Sequence, residues 1–537
     1  MKNKEDRILA IGLDAFDIGL AERLIGEARL PNLSKLIEQS AFFRLHHEER
    51  AKYTGLGWEH FSTGKGPDAQ QRWSAISFDP ANYSVHQPQS PNPPFIANSA
   101  TPTVVFDLPY FDLEAVPNTG GLTSWGAHDP GTEAYARPTG LREEVEARFG
   151  KYPAPEWIYG FSWPSVQKTE AAGKALRDAV NLRSDITRWL LTEKLPDWKL
   201  AIAVFSETHS AVEQFWHGVD PGHPLSGLPS AGPARTALMD VYEAIDAFIG
   251  TINETFPDTT LIVFSMHGMG ANTSDVPAMF LLPELLYRRS FRRAYAKDEN
   301  WPSHLPGGMP VFGMDESWDK AMRKIVPWPG ATGSVVARLQ RLFEKSSPSG
   351  RQAAGNIGWM PAARYAPFWP SMRAFALPAY YDAWVRINLS GRERNGLVSS
   401  DEYETERKDI RDTLLQCRDP LSGSDAIEKV VFSDKEPYQI GPTEADIYVT
   451  FAPNVTGLTH PELGTIGPVP FRRTGGHTGD WGVLLAKGAD IRPGDRGQAN
   501  SFDVAPTILN LLGEAVSPDL SGESLISRIH QTAPAGP

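Results

Sequence analysis

Ile8-Leu-Ala-Ile-Gly-Leu-Asp14 is a run of apolar and small residues closed by an acid. A short continuous apolar run of this kind reads as a strand buried on both faces. Ala201-Ile-Ala-Val-Phe-Ser-Glu-Thr-His209 and Leu261-Ile-Val-Phe-Ser-Met-His267 share the pattern, each ending in a residue able to hold a cation. Gly475-Gly-His477 adds another such residue, and Tyr53-Thr54-Gly55 sets a hydroxyl at the expected start of a helix. In an open α/β sheet, ligands gather outside the carboxyl ends of the strands. Acids and histidines dispersed over those ends therefore predict one composite site, and with it a metal-dependent hydrolase.

The rest of the chain fits such an enzyme. Its 537 residues with 41% hydrophobic content are enough for a large core. With 65 acidic against 52 basic residues the formal charge is -13, which argues against binding a nucleic-acid polymer or an anionic membrane. A local basic pocket for a small anionic substrate is still allowed. The single cysteine, Cys417, rules out an intrachain disulfide framework. Neither a signal-peptide core nor an apolar run of membrane-spanning length occurs, so a cytoplasmic protein is expected. Oligomeric state has no signature here.

Alternating strand and helix patterns predict a central, mostly parallel sheet covered by helices on both faces. Strands are expected at 7–14, 199–206, 260–265, 384–389, 446–451 and 482–486. Helical patterns run over 18–39, 55–63, 165–195, 210–217, 233–252, 400–416 and 503–512. Residues 66–165 read as loops and short strands. Residues 276–375 differ, with clustered Trp and Pro and the basic group Arg288, Arg289, Arg292 and Arg293. They are expected to form an inserted cap or subdomain, with 1–275 and 376–537 as the α/β core. The arginines read either as a solvated helix face or as an attractor for an anionic substrate.

His209 and Glu213 are four apart, which puts both side chains on one helix face. With His477 they make two histidines and one carboxylate, a common catalytic zinc set with an open position. Asp14 and His267 are candidates for a second ion, and two ions would flank one phosphoryl group. Thr54 is the candidate nucleophile, since a threonine hydroxyl needs a metal or a base to activate it. His128 and Asp129, in Trp125-Gly-Ala-His128-Asp129-Pro130, are candidates for substrate contact. Taken singly, these residues also read as a surface His–Glu pair, helix caps at Asp14 and Thr54, and a turn before Pro130.

Together the motifs resemble the alkaline phosphatase superfamily, in its type I phosphodiesterase/nucleotide pyrophosphatase branch. Ile11-Gly-Leu-Asp14 and Leu30-Pro-Asn-Leu33 are similar to that family's opening. Thr54-Gly-Leu-Gly-Trp58 with Phe61-Ser-Thr-Gly64 resembles its nucleophile segment. Glu207-Thr-His-Ser-Ala-Val-Glu-Gln-Phe-Trp-His217 and Phe264-Ser-Met-His-Gly-Met-Gly270 resemble its two metal segments. Asn388-Leu-Ser-Gly-Arg-Glu393 and Asp503-Val-Ala-Pro-Thr507 are similar to its C-terminal core.

The resemblance implies an alkaline-phosphatase-like fold and hydrolysis of a phosphodiester or pyrophosphate bond in a small, nucleotide-like substrate. A phosphomonoester, a phosphonate, or ligand binding without turnover are the alternatives. It implies divalent cations, zinc first: one facing Asp14, Thr54 and His267, the other facing His209, Glu213 and His477. Thr54 would carry the covalent phospho-intermediate. Three departures stand out. Met266 replaces an aspartate, and a thioether is a poor donor to a hard cation, so the second ion is expected to be weakly held or absent. His209 and Glu213 replace the usual Asp and His. Gln71-Arg72 stands where a His-Gly pair is usual.

Overall fold

The computed structural model describes residues 7–48, 51, 54–161, 163–272, 275–314, 316–328 and 357–530. In chain order the main elements begin with β1 (Ile8–Leu13), α1 (Ile18–Gly26), β2 (Ala41–His46), α2 (Gly57–Thr63), β3 (Thr103–Phe106), β4 (Thr119–Leu122) and β5 (Ala136–Arg137). Then come α3 (Val166–Trp189), β6 (Leu200–Phe205), α4 (Glu207–Phe215), α5 (Ala231–Thr255), β7 (Thr260–Ser265) and α6 (Leu282–Phe291). The series continues with β8 (Ala374–Leu377), β9 (Ala383–Ile387), α7 (Tyr403–Leu415), β10 (Ile427–Phe432) and β11 (Ile447–Phe451). It closes with β12 (Gly482–Lys487), β13 (Gly494–Asn500) and α8 (Val504–Leu511).

Nine strands form the main sheet in the order β13-β2-β12-β7-β1-β6-β3-β4-β5. Five of its eight pairings are parallel, including both neighbours of β1. This is the mostly parallel sheet expected from the apolar runs. Side chains alternate across a strand, and β1 shows the consequence. Leu9, Ile11 and Leu13 join one apolar layer with α1, α3 and α5, while Ile8 and Ala10 join the opposite layer with α2 and α8. Register aligns the functional ends. Leu13 pairs with Phe205 and Gly12 with Phe264, so Asp14, Ser206 and Met266 emerge at one edge of the sheet.

A second sheet is antiparallel, in the order β8-β9-β11-β10. Its apolar cluster gathers Val276–Leu286, Trp318, Met322, Ile325, Trp369, Tyr403 and Ile410 as well as the strands. The segments 384–389 and 446–451 are strands, as expected, and both belong to this sheet. Part of the segment 276–375, namely 315 and 329–356, lies outside the described residues. Three of the four clustered arginines have structural partners. Arg288 bonds Glu284 at 2.8 Å, Arg289 bonds Glu406 at 2.6 Å and Arg292 reaches Glu462 at 3.3 Å. Among the described residues no helix is long and apolar enough to cross a membrane.

Candidate metal centre

Asp14 follows β1, and its N–H donates to the Phe205 carbonyl of β6 at 2.9 Å. Its carboxylate is thereby fixed beside the first turns of α4. Oδ2 lies 3.1 Å from His209 Nδ1. Burial would raise the Asp14 carboxyl, but the adjacent His209 imidazole holds it below the ordinary value. His209 Nε2 faces Glu213 Oε1 at 3.4 Å across one helical turn and His477 Nε2 at 3.1 Å. His477 Nδ1 in turn lies 3.0 Å from His267 Nδ1. Asp14, His209, Glu213, His477 and His267 are thus brought together in one continuous set. Burial, then the neighbouring His267 and His209 rings, hold His477 well below its ordinary value, so it is a neutral donor.

The loop that carries His477 is laid directly on α4. Thr474 N–H donates to the Glu213 carbonyl at 2.8 Å. A Cβ on Gly475 would stand 2.2 Å from the Val212 carbonyl oxygen, so only glycine permits that approach. Gly475 and Gly476 also pair with Gly270 and Ala271, just past His267.

His128 is also part of this cluster. Its ring stacks on His209 with centroids 3.7 Å apart and planes 13° apart. Its Nε2 is 3.3 Å from Glu213 Oε2, and its Nδ1 is 3.1 Å from Asp129 Oδ2. The loop bearing it is anchored from below. Asp107 accepts from the N–H groups of Trp125 and Gly126, each at 2.8 Å. Arg183, fully buried on α3, bonds Asp107 at 2.7 Å and grips both oxygens of Glu207, the first residue of α4. One guanidinium therefore ties the His128 loop to the helix that carries His209 and Glu213.

Arg473 was not legible as a site residue. Its Nη1 abuts Glu213 Oε1, and its Nε bonds Asp275 at 2.7 Å, an aspartate shared with Arg472 at 2.6 Å. Burial lowers the Arg473 guanidinium to about 9. His47, also unanticipated, sets its ring 5.6 Å from that of His267. The signal was available in part, because Arg472-Arg473 directly precedes Thr474-Gly-Gly-His477.

Thr54 is buried at the approach to α2. Its Oγ1 donates to the Ala51 carbonyl at 3.0 Å and accepts from Leu56 N–H at 3.2 Å. Gly55 has a φ of 70°, and Gly57 opens α2 with its Cβ position 3.6 Å from the His267 ring. The Thr54 turn therefore runs against His267. Met266 does not join the donors. Its side chain is buried in the apolar layer beneath α2.

The donor chemistry fits a divalent cation. Imidazole nitrogens and a carboxylate are the usual ligands of zinc. His128, His209 and Glu213 offer ligand atoms all within 4.8 Å of one another. Asp275 and Glu213 pair with the guanidiniums of Arg472 and Arg473, while Asp14 and Asp129 face the imidazoles of His209 and His128. The excess of negative charge is what one divalent ion would neutralise.

This sheet, with its donors at the strand ends, defines an alkaline-phosphatase-like α/β fold. The family model for type I phosphodiesterase/nucleotide pyrophosphatase matches residues 8–308. The chain belongs to that family, and it is a phosphoric ester hydrolase by that membership. Among solved structures, the alkaline phosphatase PafA superposes with a TM-score of 0.50 at 12% identity, covering 98% of this chain and 100% of that one. Phosphonoacetate hydrolase from Sinorhizobium meliloti 1021 gives 0.48 at 12% identity, over 94% and 95% of the two chains. Murine ectonucleotide pyrophosphatase/phosphodiesterase 5 gives 0.47 at 11% identity, over 98% and 99%. No curated protein sequence matches the chain.

Proposed function

We propose that this protein hydrolyses a phosphodiester or pyrophosphate bond in a small, nucleotide-like anionic molecule, with Thr54 as nucleophile and a divalent cation as cofactor. Family membership supports the class of bond. The observation that carries the reading is the unbroken chain of contacts from Asp14 through His209 to Glu213, His477 and His267, at 3.0–3.4 Å. In this reading His209, Glu213 and His477 hold the cation, which is zinc for so nitrogen-rich a set. When bound, it supplies positive charge against the charge that develops on the phosphoryl oxygens. Thr54 Oγ1 forms a bond to phosphorus as the ester oxygen leaves, and water then cleaves the phosphothreonine. A second ion between Asp14 and His267 is expected to bind weakly, because Met266 offers only a buried thioether.

The test is hydrolysis of bis(4-nitrophenyl) phosphate and 4-nitrophenyl phosphate by zinc-loaded protein. Diester turnover is expected to exceed monoester turnover, and Thr54→Ala is expected to lower it on the order of 1,000-fold. Turnover of the monoester alone would move the assignment to a phosphomonoesterase. A Thr54→Ala protein as active as the parent would overturn the nucleophile.

A further inference from the structure

His128 has a geometry that a structural histidine does not need. Its Nδ1 faces Asp129 Oδ2 at 3.1 Å, which fixes the ring proton on Nδ1 and leaves the Nε2 lone pair as an acceptor. That lone pair is aimed at another acceptor. Among the described residues, the group within hydrogen-bonding reach of His128 Nε2 is the Glu213 carboxylate, at 3.3 Å. His209 repeats the arrangement on the other face of the stack. Asp14 takes its Nδ1 at 3.1 Å, and its Nε2 faces the other Glu213 oxygen at 3.4 Å. The two rings lie face to face with centroids only 3.7 Å apart. The second ring nitrogens of both histidines therefore converge on the two oxygens of one carboxylate. Arg473 abuts Glu213 Oε1 and Gly160 N–H donates to Oε2 at 3.1 Å, but neither supplies a proton to the two facing Nε2 atoms.

A cation resolves this convergence. We propose that His128 is a ligand of the metal centre, through Nε2, together with His209 and Glu213, and that Asp129 is its positioning residue. The inference rests on the cation-dependent reading above and deepens it. Ligands about 2.0–2.1 Å from a tetrahedral ion stand about 3.3 Å apart. The separations of His128 Nε2 from Glu213 Oε2, 3.3 Å, and of His209 Nε2 from Glu213 Oε1, 3.4 Å, match that edge. Ligating histidines characteristically give their second ring nitrogen to a carboxylate. Asp129 and Asp14 do this for His128 and His209. A third imidazole on the Glu213 side also compensates for the carboxylate that Met266 fails to provide, and it biases the centre toward a single ion.

The experiment uses the full chain, zinc alone as the probe, and chelator competition to read affinity. Cobalt substitution reports the coordination geometry by visible absorption, and circular dichroism reports the fold. His128→Gln is expected to weaken zinc binding by about 100-fold or more and to alter the cobalt spectrum. Asp129→Asn, at a partly exposed residue and therefore mild for folding, is expected to weaken it about 10-fold. Unchanged zinc affinity and an unchanged cobalt spectrum in both variants would overturn the role of His128 while leaving the metal-dependent reading intact. A parent chain that binds no zinc would overturn both.

Discussion

Asp14 Oδ2 and His209 Nδ1 lie 3.1 Å apart, joining the end of the first strand to the helix that follows β6. The carboxylate fixes the imidazole's proton and turns its other nitrogen toward Glu213 and His477. Asp14→Asn removes the charge while keeping the shape. Zinc affinity is expected to fall about 10- to 100-fold with the fold intact. Chelator competition beside circular dichroism checks this.

Arg183 sits fully buried between Asp107 and Glu207. Arg183→Met would leave two carboxylates in the interior without their cation. Breaking a buried ion group in this way costs about 3–5 kcal/mol. Urea unfolding is expected to show a loss of that order. The loop of His128 should loosen as well, visible as faster amide exchange at Trp125 and Gly126.

Gly475→Ala places a Cβ 2.2 Å from the Val212 carbonyl oxygen, backbone against backbone. Relief requires the His477 loop to lift from α4. The expected cost is about 1–3 kcal/mol, with diester turnover falling more steeply than stability. Paired unfolding and rate measurements separate the two effects.

Burial holds His60 and His217 neutral, each lowered to about 3. Their unfolded counterparts take up a proton near pH 6.5. Above that value the two contribute no pH dependence. As pH falls from about 6.5 toward 3, the unfolded state binds more protons and the fold loses stability. The loss is about 2 kcal/mol for each histidine at pH 5. Urea midpoints measured between pH 8 and pH 5 are expected to decline, and His60→Leu should make the decline shallower.

Much of this was legible because the residues concerned obey local rules. The strand expected at 260–265 is found over those residues, and the one expected at 199–206 runs from Leu200 to Phe205. His209 and Glu213 share a helix face simply because they are four apart. Other parts depend on distant neighbours. Gly494-Asp-Arg-Gly-Gln-Ala-Asn500 has no apolar alternation, yet it pairs with β2 as the edge strand of the sheet. The pattern over 18–39 is broken into Ile18–Gly26 and Pro31–Glu38, because Pro31 begins a new helix. The contacts of His128 and Arg473 with Glu213 span 85 and 260 residues. No periodicity carries information over such separations; the Arg183–Asp107 anchor brings in the His128 loop, and the Asp275 ion pair with the pairing of Gly475 and Gly476 brings in Arg473.

The most direct measurement is diester hydrolysis by zinc-loaded protein before and after removal of the metal, with metal content verified by elemental analysis. The cation-centred account predicts loss of turnover by about 100-fold or more on chelation and its return when zinc is restored. A rate unchanged in protein shown to be metal-free would contradict it.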